Sequence, residues 1–286
     1  MDRFLLAIAP LGPDEVGGSD VAEWANELAR KGLADATVAA RLAAISSFYQ
    51  FCMTTYTDAG GQPLTRHNPV AIVERPRVEK YGNSRPLTIE QLRDLLGVID
   101  RSTIQGMRDY AMILIAVYTG RRSAEVRGLR IANIQHFSNG QLRYCWKGKR
   151  GKMRWDDLPA PVYQAMQLYL EAAGRGGLGL GLGEPMFIAH NGHDVSCRPL
   201  CSEFFNQMVK GYAKAAGLPE WVHTHTLRHT ASALRLSAGR SVLEISRLLG
   251  HSSLQVTQIY IEAMTGFEDD GWQDVERVLD GARQGK

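Results

Sequence analysis

Long apolar runs are missing from this chain of 286 residues. A membrane-spanning helix needs about 20 consecutive apolar residues, and no stretch approaches that. The opening run from Phe4 to Ala9 stops at Pro10, shorter than the apolar centre of a secretion signal. Cysteine is scarce too. Cys52, Cys145, Cys197 and Cys201 sit in unlike contexts, and Cys197 and Cys201 lack neighbours at zinc-ligand spacing. That pattern argues for reduced thiols in a cytoplasmic protein rather than a disulfide framework or a zinc site. No cluster of carboxylates offers itself to a metal. The glycine-dense stretch Gly174–Gly183 lacks the Lys-Ser/Thr pair of a phosphate-binding loop and reads as a connection. Net charge is only +3, too mild to identify a partner.

Amphipathic helices are abundant. Near the start, Ser19 is placed to cap a helix with Val21, Trp24 and Leu28 on one face, stopping at Lys31-Gly32. A longer helix opens near Asp35 or Thr37 and puts Val38, Leu42, Ile45, Phe48, Tyr49 and Cys52 on one stripe. Asn68-Pro69 begins a further short element. The stretch after it, rich in charge and proline up to Pro86, has no periodicity and reads as a linker. The expected division is therefore a helical domain over 1–75, a linker over 76–86 and a larger domain over 87–286.

The larger domain opens with a capping box, Thr88-Ile-Glu-Gln91, and continues into a strongly apolar helix over Arg108–Thr119 that stops at Gly120. Alternation at Leu142, Tyr144 and Trp146, after a turn at Asn139-Gly140, predicts a hairpin or three-stranded sheet over Gln141–Leu158. Helix returns at Pro161–Ala173. Two more capping boxes follow: Ser241–Glu244 for a helix stopping at Gly250, and Ser252–Gln255 for a helix carrying Tyr260. The fold class expected is mainly α with a small β-sheet.

Charge is distributed unevenly. Between Arg121 and Arg154 the bases Arg121, Arg122, Arg127, Arg130, Arg143, Lys147, Lys149, Arg150, Lys152 and Arg154 face one acid, Glu125. Such a strip is either a solvated face or a surface for phosphates. Farther on, His225-Thr-Leu-Arg228-His229, then Leu248-Leu-Gly-His251, then Tyr260 follow one another. An arginine grips phosphate oxygens with a rigid fork of donors, a histidine moves protons near neutral pH, and a tyrosine is an oxygen nucleophile. His225 and Arg228 are one helical turn apart and face one way. The residue types suit a phosphodiester.

These boxes resemble those of the tyrosine recombinase family, the phage-type integrases and their Xer-like members. Thr119-Gly-Arg-Arg122-Ser-Ala-Glu125 is similar to the first box, with Arg122 in the position of the first catalytic arginine and Glu125 in that of its acidic partner. The chain departs from that box at Arg121 and Ser123, where apolar residues are usual. Gly148-Lys149-Arg-Gly-Lys152-Met-Arg154 is similar to the hairpin that bears the catalytic lysine; Lys149 fits that place best, with Lys147 and Lys152 as alternatives. His225 and Arg228 match the second box, with His229 in a supporting part, His251 matches the third, and Tyr260 matches the nucleophile.

The resemblance implies a helical core-DNA-binding domain joined to a mixed α/β catalytic domain. It implies a site-specific recombinase that cuts and rejoins DNA through a 3′-phosphotyrosine, exchanging strands via a Holliday junction without cofactor or metal. Double-stranded DNA with inverted core sites would be the partner, bound by a tetramer spanning two sites, with no membrane involved. Arg121, Lys147, Arg150, Lys152 and Arg154 are the expected DNA contacts. A type IB topoisomerase-like nicking-closing enzyme and a non-catalytic DNA-binding homologue are the alternatives. A tail after Gly266, with Trp272, Val275 and Leu279 at helical spacing, is expected to pack on a neighbouring protomer, with docking on its own domain as the alternative.

Overall fold

The computed structural model describes residues 4, 11–55, 57, 60–78, 85–137, 140–147, 151–176, 181, 183–190 and 199–250. Lys149, Arg150, His251 and Tyr260, the second capping box at Ser252 and the tail helix lie outside them. The chain divides into two compact units, Met1–Lys80 and Tyr81–Lys286. Among the described residues helix dominates, with one small sheet.

In the first unit, α1 (Gly18–Arg30) buries Val21, Trp24 and Leu28. Its N-terminus is closed by Asp20, whose Oδ2 accepts from the Gly17 N–H at 2.8 Å. Ser19, the expected cap, already lies inside the helix; the longer reach of the Asp20 side chain from the first turn takes the free donor instead. The helix α2 (Asp35–Thr54) buries Val38, Leu42, Ile45, Tyr49 and Cys52 of the predicted stripe, while Phe48 is half-buried at its margin. Phe4 meets Trp24 edge-on, with ring centroids 5.1 Å apart. Asn68 starts a 3₁₀ turn over Pro69–Ile72 by accepting from Val70 N–H at 3.1 Å. Its amide also donates to Ser46 Oγ at 3.0 Å, tying that turn to α2.

The second unit begins with α3 (Ile89–Gly97), capped reciprocally by Thr88 and Gln91 at 3.1 and 3.2 Å. The apolar helix α4 (Ile104–Thr119) starts ahead of Arg108 because Thr103 Oγ1 accepts from Gly106 N–H at 3.0 Å. After α5 (Ser123–Arg127) come β1 (Ile134–His136), β2 (Leu142–Lys147) and β3 (Met153–Asp157), antiparallel in that order, with Trp146 opposite Arg154 and Lys147 opposite Met153. Among the described residues, α6 (Ala160–Ala172), α7 (Phe204–Ala215), α8 (Thr224–Ser237) and α9 (Val242–Leu249) follow. A helix apolar on every side belongs at a centre. Accordingly α4 packs against both α6 and α8 and buries Ala111 through Val117. Among the described residues no helix is long and apolar enough to cross a membrane.

One glycine in α4 is there for space. A Cβ at Gly106 would lie 1.9 Å from the Asp100 carbonyl oxygen. In an open helical position Gly→Ala stabilises by about 1 kcal/mol. Here Gly106→Ala should destabilise instead, by about 2–3 kcal/mol, because the overlap is with main chain that cannot turn aside. Urea unfolding checks this, and a raised midpoint would mean that the first turn of α4 is loosely held.

Candidate active site

Arg122 stands between two helices. Gly120 ends α4 in the left-handed conformation with φ 65°, and the chain turns straight into α5, for which Arg122 is the N-cap residue. Glu125 faces back from the first turn of α5. Its carboxylate accepts from the Arg122 main-chain N–H at 2.9 Å and from the Arg122 guanidinium at 3.0 Å. The carboxylate is well covered, at 11% exposure of its side chain, whereas the Arg122 side chain is 42% exposed. A fixed acid therefore aims a guanidinium that still reaches solvent. Beside it, a cleft of about 390 Å³ runs between α5 and the sheet, with Glu125, Arg130, Trp146 and Lys147 among its walls.

The start of α8 brings three imidazoles together. His223 is its N-cap residue, and its Nδ1 lies 2.7 Å from the Trp221 carbonyl, which can only accept, so Nδ1 is the donor there. The His225 ring lies nearly parallel to it at 6.3 Å, and His229 meets His225 edge-on at 5.8 Å. His225 reaches the surface. Even so, the protein packed around it, and then the charges of Arg228, His223 and Arg122, hold its pKa below the ordinary histidine value. His229 is buried, and burial followed by the charges of its neighbours lowers its pKa to about 3. Arg122, His225 and Arg228 thus share one electrostatic neighbourhood, as their types suggest. His223 joins them although nothing in the His225–Arg228 spacing pointed to it; its place as the cap of α8 was the missed signal.

Arg228 is 4% exposed and donates to the Gly120 carbonyl at 2.5 Å and the Leu249 carbonyl at 2.7 Å. Arg121 corrects an expectation. It is 2% exposed and so presents no surface to DNA. Its guanidinium lies 3.7 Å over the Trp146 ring, donates to the Thr119 and Leu248 carbonyls and comes within 3.6 Å of Asp156. The reason is its place directly after Gly120, where the turn that presents Arg122 outward sends the preceding side chain inward. Lys147, Lys152 and Arg154 are exposed along the hairpin, with Arg154 5.8 Å from the Trp146 ring. Gly250 ends α9 with φ 64°, so the chain turns sharply one residue before His251. Among the described residues no group of His, Cys, Asp and Glu is arranged to hold a metal ion.

The phage integrase family matches residues 85–265, and its N-terminal SAM-like domain matches residues 2–55. Tyrosine recombinase XerC of Herpetosiphon aurantiacus is 32% identical over 82% of this chain and 71% of its own length. XerC of Bacillus subtilis is 29% identical over 91% of this chain and 81% of its own length. This chain belongs to the phage integrase family of tyrosine recombinases. Among solved structures, the XerH site-specific recombinase bound to palindromic difH shares the fold, with a TM-score of 0.70 at 20% identity over 98% of this chain and 76% of that one. A lambda integrase dimer bound to a core site does so with a TM-score of 0.67 at 16% identity, over 94% of this chain and 88% of that one.

The activity of this Xer-type recombinase is site-specific DNA recombination, in preference to the nicking-closing and binding-only alternatives. Its histidine cluster carries a pH signature. Unfolded, an imidazole takes up a proton near pH ~6.5. In the folded recombinase His229 stays neutral down to about 3. Its contribution to stability is therefore complete above ~6.5 and is lost as pH falls towards the folded value, at roughly 1.4 kcal/mol per pH unit. His229→Asn should flatten the stability–pH curve in that window, read by denaturant unfolding at stepped pH. An unchanged slope would mean that His229 protonates without unfolding.

Proposed function

We propose that the recombinase cuts and rejoins duplex DNA at inverted core sites through a covalent bond to Tyr260. The phenolic oxygen of Tyr260 attacks the scissile phosphorus in line. The bond from phosphorus to the 5′ oxygen breaks, leaving a 3′-phosphotyrosine and a 5′-hydroxyl. A phenol ordinarily ionises near pH ~10, so its proton needs an acceptor, and His225 is that base. Lys149 donates a proton to the departing 5′ oxygen. Arg122, Arg228 and His251 neutralise charge on the non-bridging oxygens. Attack by the 5′-hydroxyl of the partner strand reverses the chemistry and releases Tyr260, giving a Holliday junction after one exchange and recombinants after the second.

The observation that carries this reading is the convergence of Arg122, His225 and Arg228. His225 is held below its ordinary pKa, so it is neutral and proton-accepting at pH 7. Arg122 is oriented by Glu125 yet exposed. Arg228 brings its charge to the same place while two of its donors hold main-chain carbonyls. His229 supports the cluster as a neutral neighbour that adds no charge to the site. Inverted sites are supported by the XerH relative, whose DNA is palindromic. On this reading the helical unit over 1–75 binds core DNA, Arg150 joins Lys147, Lys152 and Arg154 on phosphates, and a tetramer gathers two sites. The recombinase would act in the cytoplasm, on the nucleoid.

Tyr260→Phe should bind the site like wild type and form no detergent-resistant protein–DNA adduct, because only the attacking oxygen is lost. An adduct from the Phe variant would move the nucleophile elsewhere. Arg122→Ala should keep its affinity and lose roughly 10²–10³ in single-turnover cleavage rate, the usual effect of removing one transition-state donor.

Salt should weaken binding steeply. Each phosphate neutralised releases counterions and adds a slope of ~0.9 to the fall of log K with log salt. Lys152→Ala should reduce the slope by about one such contact. A slope unchanged by that substitution would mean that Lys152 points away from the duplex.

A further inference from the structure

Arg121 has no place in the chemistry just described, yet it is a tightly enclosed cation beside the site, with 1% of its side chain exposed. Removing a guanidinium from water is costly unless its donors and charge find partners. Its Nε, its Nη2 and its charge find them on three separate elements, while Nη1 has no hydrogen-bond partner among the described residues. At the end of α4 its Nε donates to the Thr119 carbonyl at 3.3 Å. In the last turn of α9 its Nη2 donates to the Leu248 carbonyl. On the sheet, its plane lies on the Trp146 ring of β2 and its charge faces Asp156 of β3.

The sheet side of this contact is itself braced. Asp156 Oδ2 accepts from Trp146 Nε1 at 2.6 Å, so the carboxylate and the ring that receive Arg121 are fixed to each other across the β2–β3 pair. Trp146 also fits closely beneath the end of α9: a Cβ at Gly250 would come within 2.9 Å of its ring. The hairpin ends between Lys147 and Lys152, and α9 ends one residue before His251. The segments that deliver those groups are joined through one side chain, and that side chain is next in sequence to Arg122.

We infer that Arg121 is a positioning residue that locks the β2–β3 hairpin and the C-terminal end of α9 in register with Arg122. The inference rests on the reading of Tyr260, Lys149 and His251 given above. It assigns Arg121 no contact with DNA. A leucine side chain in its place would fill the space without holding either the Leu248 carbonyl or Asp156. A lysine would keep the charge but could neither fork between carbonyl and carboxylate nor stack as a plane on indole.

The test uses the full-length protein and a nicked suicide duplex carrying an inverted-repeat site, selected from randomised DNA by Tyr260→Phe protein. Single-turnover adduct formation, affinity for the same duplex and thermal unfolding are measured together. Arg121→Leu should cut the adduct rate by ~10–100-fold, the scale of a displacement near 1 Å among reacting groups, while affinity and the salt slope stay within about two-fold of wild type. Arg121→Lys should recover part of the rate. Asp156→Asn, a half-buried and sterically equal change, should lower the rate in the same direction by less. A folded Arg121→Leu protein that cleaves at the wild-type rate, or one whose affinity falls in step with its rate, would overturn the inference. Should Arg121→Leu not fold, wild-type rates in both Arg121→Lys and Asp156→Asn would overturn it equally. Failure of the wild-type protein to form any adduct would instead remove the Tyr260 reading beneath it.

Discussion

Two helix C-termini meet in the catalytic unit, and their exposed carbonyls are held by arginines. The last carbonyls of a helix have no partner within it and carry the negative end of its dipole, so a cation there is favourable by about 0.3–1 kcal/mol, and by up to ~2 kcal/mol when partly buried. At the end of α4, Tyr118, Thr119 and Gly120 accept from Arg235, Arg121 and Arg228 in turn. At the end of α9, Leu248 and Leu249 accept from Arg121 and Arg228. Two of these arginines therefore bridge the two ends. Each end also stops in a left-handed glycine, and a Cβ at Gly120 would sit 2.8 Å from a Leu249 methyl. Both conditions, an αL turn and close approach, leave room only for glycine.

The site's electrostatics follow from that junction. Burial first, and then the charges gathered around them, keep the histidines beside the two helix ends neutral. His225 is lowered by its enclosure and by Arg228, His223 and Arg122, and His229 more deeply still. An imidazole that resists protonation is the form that accepts a proton from a phenol. The positive potential of the gathered guanidinium groups favours a phosphodiester. Arg228 thus takes part twice, through its carbonyl bonds as structure and through its charge as electrostatics, and only the second is visible from the outside.

Glu125 and Asp156 keep this concentration of cations oriented rather than merely tolerated. Glu125 binds both the main-chain N–H and the guanidinium of Arg122, so one carboxylate caps α5 and aims the arginine. Asp156 receives Trp146 and lies beside Arg121. Anchoring acids of this kind fix rotamers that would otherwise be free, which is how a site reaches the small positional tolerance that phosphoryl chemistry needs.

Much of this was legible in the residues themselves. Apolar spacing marks α1, α2 and α4, because burial on one face, or on all faces, leaves a periodic trace. Capping boxes at Thr88 and Ser241 and the stops at Gly120 and Gly250 are local chemistry, written within a few neighbours of each helix end. The order of Arg122, His225, Arg228, His251 and Tyr260 carries the family. What sequence alone assigned wrongly depends on distance along the chain. Arg121 reads as one more base in a positive strip, since its partners Asp156 and Leu248 come from remote segments. His223 meets His225 only through the turn into α8, which stacks the two rings. A side chain's type is local, but whether it meets water, a carboxylate or a carbonyl is decided only when separate elements pack, and that packing turned Arg121 inward while leaving Arg122 exposed.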